Sequence, residues 1–186
     1  MGHHTFDPAM ADRLEDAARR YRYLSMEELV GALQPSEDDV VADLGSGTGF
    51  YADDVSQFVK KVYAVDVQDE MHAHYREKGV PDNVELVTAE VADMPFETDA
   101  LDAGYTTMTY HEFASSDALA EVRRVLRPEA FFVVADWSSK GSGEVGPPTE
   151  ERYTAEEAVE ALEEVNFDVR RAEERTETFF LRARAP

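Results

Sequence analysis

Cysteine is absent from the 186 residues, which excludes disulfides, thiolate metal sites and a cysteine nucleophile. Lysine is nearly absent: Lys60, Lys61, Lys78 and Lys140 are the only four among 18 basic residues, the rest being arginine. No apolar run approaches the roughly 18 to 20 residues needed to cross a bilayer, and the stretch from Met1 to Asp16 has no secretory apolar region. No stable membrane insertion and a cytoplasmic location are therefore expected. Basic patches are missing as well. With 40 acidic residues and a formal net charge of −22, the chain repels phosphate backbones and anionic bilayers, so nucleic acid is not an expected partner. His3 and His4 stand side by side without further ligands and read as a terminal feature, not a metal site; no metal site is expected anywhere.

What is present points to a folded domain. Hydrophobic residues make up 43% of the chain, enough for a sizeable core in one domain of this length. The excess of carboxylates over lysines resembles salt-adapted proteins, in which molar salt screens the self-repulsion of an acidic surface. Apolar spacing predicts leading helices from Pro8 through Leu33, the second capped by Ser25 with Glu28 in the capping-box position. Val40–Leu44 reads as a buried strand. Helices over 52–60 and 69–78 then alternate with strands over 62–67 and 84–88, and a strand over 101–107, a helix over 116–126 and a strand over 130–137 follow, with Pro128 separating the last two. A helix that follows Thr154 and runs through Val165, and strands 167–172 and 178–183, complete the pattern. Such β-α-β alternation implies a parallel sheet covered by helices on both faces. The expected organisation is a single domain over 1–186, with 1–34 as a leading helical cover and 138–153, rich in Gly and Pro, as a substrate-side loop.

The most informative segment is Asp43-Leu44-Gly45-Ser46-Gly47-Thr48-Gly49 between a predicted strand and helix. Its G-x-G-x-G spacing differs from the dinucleotide fingerprint and lacks a P-loop ending. Asp66, at the end of the next strand, suits ribose hydroxyls, and two carboxylates flanking the loop match a cationic amino group better than a diphosphate. These segments, with Val65-Asp66, Glu90 through Phe96, Leu101-Asp102 and Glu121 through Pro128, resemble the class I S-adenosylmethionine-dependent methyltransferases, in the small-molecule group similar to ubiquinone/menaquinone methyltransferases. The resemblance spans about residues 38–137.

It implies an α/β fold of three layers, Rossmann-like, with a mixed seven-stranded sheet whose last strand is antiparallel. It also implies S-adenosylmethionine as cofactor and a small-molecule acceptor. By resemblance, Asp43, Gly45, Ser46, Gly47 and Gly49 surround the amino-acid portion, Asp66 takes the ribose, and Val67 and Met71 line the adenine, with strand-end and helix packing the alternative for these two. Glu90 and Val91 stand where many relatives have Asp-Ala and are expected at the adenine amino group. Thr106 lies in the segment beside cofactor and substrate.

Methyl transfer from a sulfonium needs positioning more than a protein nucleophile. Candidate catalytic groups are His111, as a proton acceptor or relay, and Tyr110, as a substrate contact; a packing role is open for both. Glu112 is expected to cap a helix, His72 and His74 to be exposed or local supports. Phe96 and Trp137 read as pocket walls or packing anchors, and Arg152 as an anion contact or a partner of Glu150 and Glu151. A noncatalytic S-adenosylmethionine-binding or complex-forming protein is the alternative function.

Overall fold

The structure, a computed structural model, describes residues 6–186; His3 and His4 lie outside the described residues. A 3-10 helix over Pro8–Glu15 leads into α1 (Ala17–Tyr23) and α2 (Met26–Leu33). The chain then runs β1 (Val40–Leu44), α3 (Phe50–Ser56), β2 (Lys61–Asp66), α4 (Asp69–Lys78), β3 (Val84–Thr88) and β4 (Leu101–Thr107). It continues as α5 (Tyr110–Phe113), α6 (Ser116–Val125), β5 (Leu126–Trp137), a 3-10 turn at Thr149–Glu151, α7 (Ala155–Glu164), β6 (Asp168–Glu174) and β7 (Thr178–Arg184). The strands form one seven-stranded sheet in the order β3-β2-β1-β4-β5-β7-β6. All neighbours are parallel except β7, which is antiparallel to both β5 and β6.

Alternating side chains feed two apolar layers. Ala42, Leu44, Phe132, Val134, Phe179 and Leu181 pack under α6 and α7. Val41, Val133 and Phe180, from the same strands, pack on the other face under α2 and α3. Burial on both faces is why these strands read as nearly continuous hydrophobic runs. From β1 the chain winds outward through β2 and β3, then returns to place β4 on the other side of β1. That reversal opens a crevice beyond the carboxyl ends of β1 and β4.

Two local expectations are corrected. Pro128 does not separate helix from strand: β5 starts at Leu126, directly after α6, and Pro128 falls where the β4 pairing shifts from Leu101↔Leu126 to Ala103↔Phe131. An irregular stretch tolerates a residue that lacks an N–H. Ser25 does cap α2, accepting from the Glu28 N–H. The Glu28 carboxylate, however, leaves the capping box to bind Arg171 and Arg175 across the fold. The full capping box occurs instead at Thr154 and Glu157 of α7.

Candidate active site

The turn after β1 is folded back on β2. Gly45 and Ser46 donate N–H bonds to the Val65 carbonyl at 2.8 and 2.9 Å. The Asp66 carboxylate accepts from Gly47 N at 2.8 Å and from Gln68 N at 2.9 Å. Glycine is required at both ends of this turn for different reasons. A Cβ on Gly45 (φ +76°) would lie 2.2 Å from Thr109, and one on Gly49 (φ +80°) 1.9 Å from the Tyr75 ring. Gly49 therefore serves the close approach of α4 to the start of α3 rather than the cleft itself.

A cleft of about 370 Å³ opens above the turn, within the range of small-molecule sites. Gly45, Ser46, Gly47, Thr48, Asp66 and Met71 line its floor. Its other walls come from the leading segment, including Met10, Leu14, Arg20 and Tyr23; from Thr107, Met108, Thr109, His111 and Glu112 at and beyond the end of β4; and from Trp137 and Glu144–Pro148 at and beyond the end of β5. The leading segment is tied down across the opening. Gln68 Nε2 donates to the Phe6 carbonyl at 3.1 Å, Lys78 pairs with Glu15 at 3.1 Å, and the Thr48 hydroxyl donates to Glu15.

Two buried charges each leave one atom without a hydrogen-bond partner among the described residues: Nε of Arg20, which lines the cleft, and Oδ1 of Asp43, at the end of β1 beneath it. Arg20 lies over the Tyr51 ring at 4.8 Å. Burial pulls its pKa below the ordinary value, against the pull of Tyr51 and Asp43. Asp43 is pushed up to about 7 by burial, a rise that Arg20 opposes. Asp66 is also raised, burial outweighing its backbone N–H donors. Sequence reading missed Arg20, because it falls among the apolar positions of an apparent packing helix. The signal was available in the run Arg19-Arg20-Tyr21-Arg22, a local cluster of arginines in a basic-poor chain and in a helix expected to cover the site.

Beyond β4, Asp136 at the end of β5 gathers His111. The carboxylate accepts from the His111 backbone N–H at 2.7 Å and from the Trp137 N–H at 2.7 Å, and it meets His111 Nδ1 at 2.9 Å. Because a carboxylate only accepts, Nδ1 carries the proton and Nε2 is left as the basic nitrogen. Nε2 lies 3.9 Å from Glu112, too far for a hydrogen bond. Burial disfavours the imidazolium, but Asp136 and Glu112 outweigh it and hold His111 above its ordinary value. Glu112 does not cap its helix: its carboxylate takes the Phe6 backbone N–H, and burial pushes it up to about 7.

Other expected site residues are placed elsewhere. Tyr110 is fully buried among Phe113, Tyr153 and Phe179 and is not part of the cleft lining; the short α5 turns its ring into the core layer shared with α6 and α7. Thr106 is buried in β4, and the neighbouring Thr107, Met108 and Thr109 line the cleft instead. Val67 is 48% exposed and Glu90 is exposed, while Val91 is buried in the core; none of the three borders the cleft. His72 is fully buried and meets the Thr88 hydroxyl at 3.1 Å, a local support. Phe96 packs on Tyr63 with ring centroids 4.7 Å apart. Arg152 binds neither glutamate: it donates to the carbonyls of Pro147 at 2.8 Å and Val145 at 2.5 Å, fastening the loop whose Gly146 lies on Trp137. Trp137 also meets Tyr23 edge-on at 4.8 Å. Among the described residues, no acidic and histidine cluster suited to a metal ion occurs, and no helix is long and apolar enough to cross a membrane.

The methyltransferase domain family matches residues 42–134, half of the chain. A solved S-adenosylmethionine-dependent methyltransferase from Aquifex aeolicus is 31% identical with a TM-score of 0.86, covering 98% of this chain and 100% of that one. A chain of the complex between the Haloferax volcanii Trm112 methyltransferase activator and the putative methyltransferase is 18% identical, with a TM-score of 0.78 over 98% and 100% of the two chains. At that identity the likeness shows the fold alone. Sterol 24-C-methyltransferase of Yarrowia lipolytica is 28% identical over 172 residues, 82% of this chain and 44% of that protein. An uncharacterized methyltransferase-like protein of Schizosaccharomyces pombe is 33% identical over 93 residues, 50% of this chain and 36% of that protein. The chain thus spans less than half the length of these curated relatives. With its glycine turn, acidic strand ends and sheet order, it belongs to the methyltransferase domain family, in the class I group whose cofactor is S-adenosylmethionine.

Proposed function

We propose that the protein transfers the methyl group of S-adenosylmethionine to a small-molecule acceptor. The observation that carries this reading is a pair of buried opposite charges beside the glycine turn, Arg20 and Asp43, each with one atom, Nε and Oδ1, that makes no hydrogen bond among the described residues. Leaving a buried hydrogen-bonding atom of a charged group unsatisfied is costly in a folded protein, and the two groups complement the carboxylate and ammonium of an amino-acid zwitterion. Asp66 keeps lone pairs for ribose hydroxyls while it braces the turn, and Met71 supplies an apolar floor. Val67, Glu90 and Val91 fit an adenine end only if that end lies beyond the cleft, along the strand termini.

The bound cofactor supplies an electrophilic methyl group: its carbon–sulfur bond breaks as the acceptor bond forms, and the electron pair stays on sulfur. The residues of the chain supply the rest. Asp136 fixes the His111 tautomer so that Nε2 accepts the acceptor's proton. The leading segment and the loop over 138–153 exclude water from the cleft. Tyr110 takes no direct part and supports α5 from below.

Calorimetric titration with S-adenosylhomocysteine in molar KCl tests donor binding, and labelled cofactor with fractionated small-molecule extract tests turnover. Binding with at least tenfold weakening in Arg20→Gln is expected. No binding to folded protein overturns the reading, and binding without turnover favours the noncatalytic alternative. His111→Ala should lower turnover far more than donor affinity. Asp136→Asn removes the charge that raises His111, so the pH at which activity appears should fall.

A further inference from the structure

Three arginines of the leading segment, Arg13, Arg19 and Arg20, line the cleft, and among the described residues none of them forms an ion pair. In a chain with 40 acidic and 18 basic residues, random placement would surround each cation with carboxylates. Elsewhere this happens: Lys78 pairs with Glu15 and Asp53, and Arg175 with Glu28 and Glu173. Acidic groups do border the cleft, but most are committed to backbone donors. Asp7 accepts from Ala9 N, Asp66 from Gly47 and Gln68, and Glu112 from Phe6. Glu144 is exposed at the rim.

Arg20, with its buried partnerless Nε, is assigned above to the carboxylate of the donor. One anion does not account for three cations. Arg13 is exposed and its Nη1 meets only the Met10 sulfur, at 3.5 Å; Arg19 is half-buried, and only its backbone N–H is bonded, to Asp16. Both therefore stand near the opening, on the segment that closes over the cleft. Next to them the lining is apolar and aromatic, from Met10, Tyr23, Trp137, Val145 and Pro147. A neutral acceptor would leave the two guanidinium groups idle, whereas a carboxylate presents the planar pair of oxygens that arginine matches best.

Resting on the methyl-transfer reading, we propose that the acceptor is an apolar or aromatic carboxylate. Arg13 and Arg19 hold its anionic group at the mouth, its body lies against the aromatic wall that Tyr23 and Trp137 form together, and its nucleophilic atom, distinct from that carboxylate, reaches His111. Arg13 and Arg19 are thus specificity-determining residues, and the leading segment selects the acceptor as well as covering it.

The only tryptophan of the chain, Trp137, reports on this wall. Protein saturated with S-adenosylhomocysteine is titrated with cinnamate, phenylacetate and 4-hydroxybenzoate and with the matching neutral amides, following Trp137 fluorescence in constant molar KCl. At least one acid should bind tenfold or more tightly than its amide. The double variant Arg13→Gln/Arg19→Gln should lose that preference while keeping its calorimetric affinity for S-adenosylhomocysteine. The proposal is overturned if no acid outbinds its amide, or if the preference survives in the double variant. Failure of the underlying reading shows separately, as absence of S-adenosylhomocysteine binding in the first titration.

Discussion

Asp43 carries opposing demands at the scale of one residue. Sequence placed it at the exit of β1, but only the structure shows its cost: the carboxyl is buried, one oxygen has no partner, and burial holds it at about 7. In the unfolded chain it titrates near 3.9. Below that pH both states are protonated and the side chain is neutral in the fold. As pH rises from about 4 to about 7 the unfolded chain ionises while the folded one retains its proton, so stability is lost across that window. Above pH 7 the full cost applies, at most about 4 kcal/mol for a shift of about three units. Asp43→Asn keeps the shape and removes the charge. It should raise the melting temperature of ligand-free protein at pH 8, the gain should shrink as pH falls through about 4 and vanish below about pH 3, and affinity for S-adenosylhomocysteine should drop at least tenfold. Thermal melts across pH at fixed salt, with calorimetry at pH 8, check the trade of stability for binding. A variant less stable than the parent at pH 8 would show that Arg20 more than offsets the burial.

Among the elements, those fixed by strong local chemistry were legible. The bounds expected for β1, α4, β3 and β4 coincide with the structure, because each is a compact apolar or amphipathic run, with Gly45 after β1, Gly79 after α4 and Pro81 to Asn83 before β3 marking the breaks. Legibility fell where distant partners decide. Glu28 leaves its helix for Arg171 and Arg175, and Asp136 looked like an ordinary strand end until the chain brought His111 beside it. The leading helical pattern also hid a division: Pro8–Glu15 is a 3-10 helix with Ala11 its one buried residue, whereas α2 buries Leu29, Ala32 and Leu33. The first piece therefore adds little to the core, yet it supplies Met10, Arg13 and Leu14 to the cleft. Removing residues 1–15 should lower the melting temperature by only a few degrees, as expected for a loss near 1 kcal/mol, while weakening S-adenosylhomocysteine binding at least tenfold. Circular dichroism melts and calorimetry on the truncated chain measure both. Collapse of the fold on truncation would make this segment a structural element instead of a cover.

Over the whole molecule, the net charge of −22 is unevenly used. Few carboxylates sit in the core: Asp43, Asp66 and Asp136 are the buried ones at the strand ends near the site, where neutral donors and arginines answer them. Most of the others are exposed or half-buried, among them Glu156, Glu160, Glu163 and Glu164 of α7, next to few cations. Their mutual repulsion acts against the compact state and is screened over about 10 Å at 0.1 M salt but about 3 Å at 1 M. The buried pairs, His111 with Asp136 above all, are shielded from that screening by the protein around them. Stability and site electrostatics should therefore respond differently to salt. Raising KCl from 0.1 to 2 M should increase the melting temperature by ten degrees or more, with NaCl equivalent at equal ionic strength and an uncharged osmolyte of equal osmolality much less effective. Over the part of that range in which the protein stays folded, the pH at which turnover appears, set by His111 in the proposed mechanism, should move little. Melting curves that are flat in salt would mean that the acidic surface is locally neutralised by the arginines, and a gating pH that slides with ionic strength would place His111 in open solvent contact.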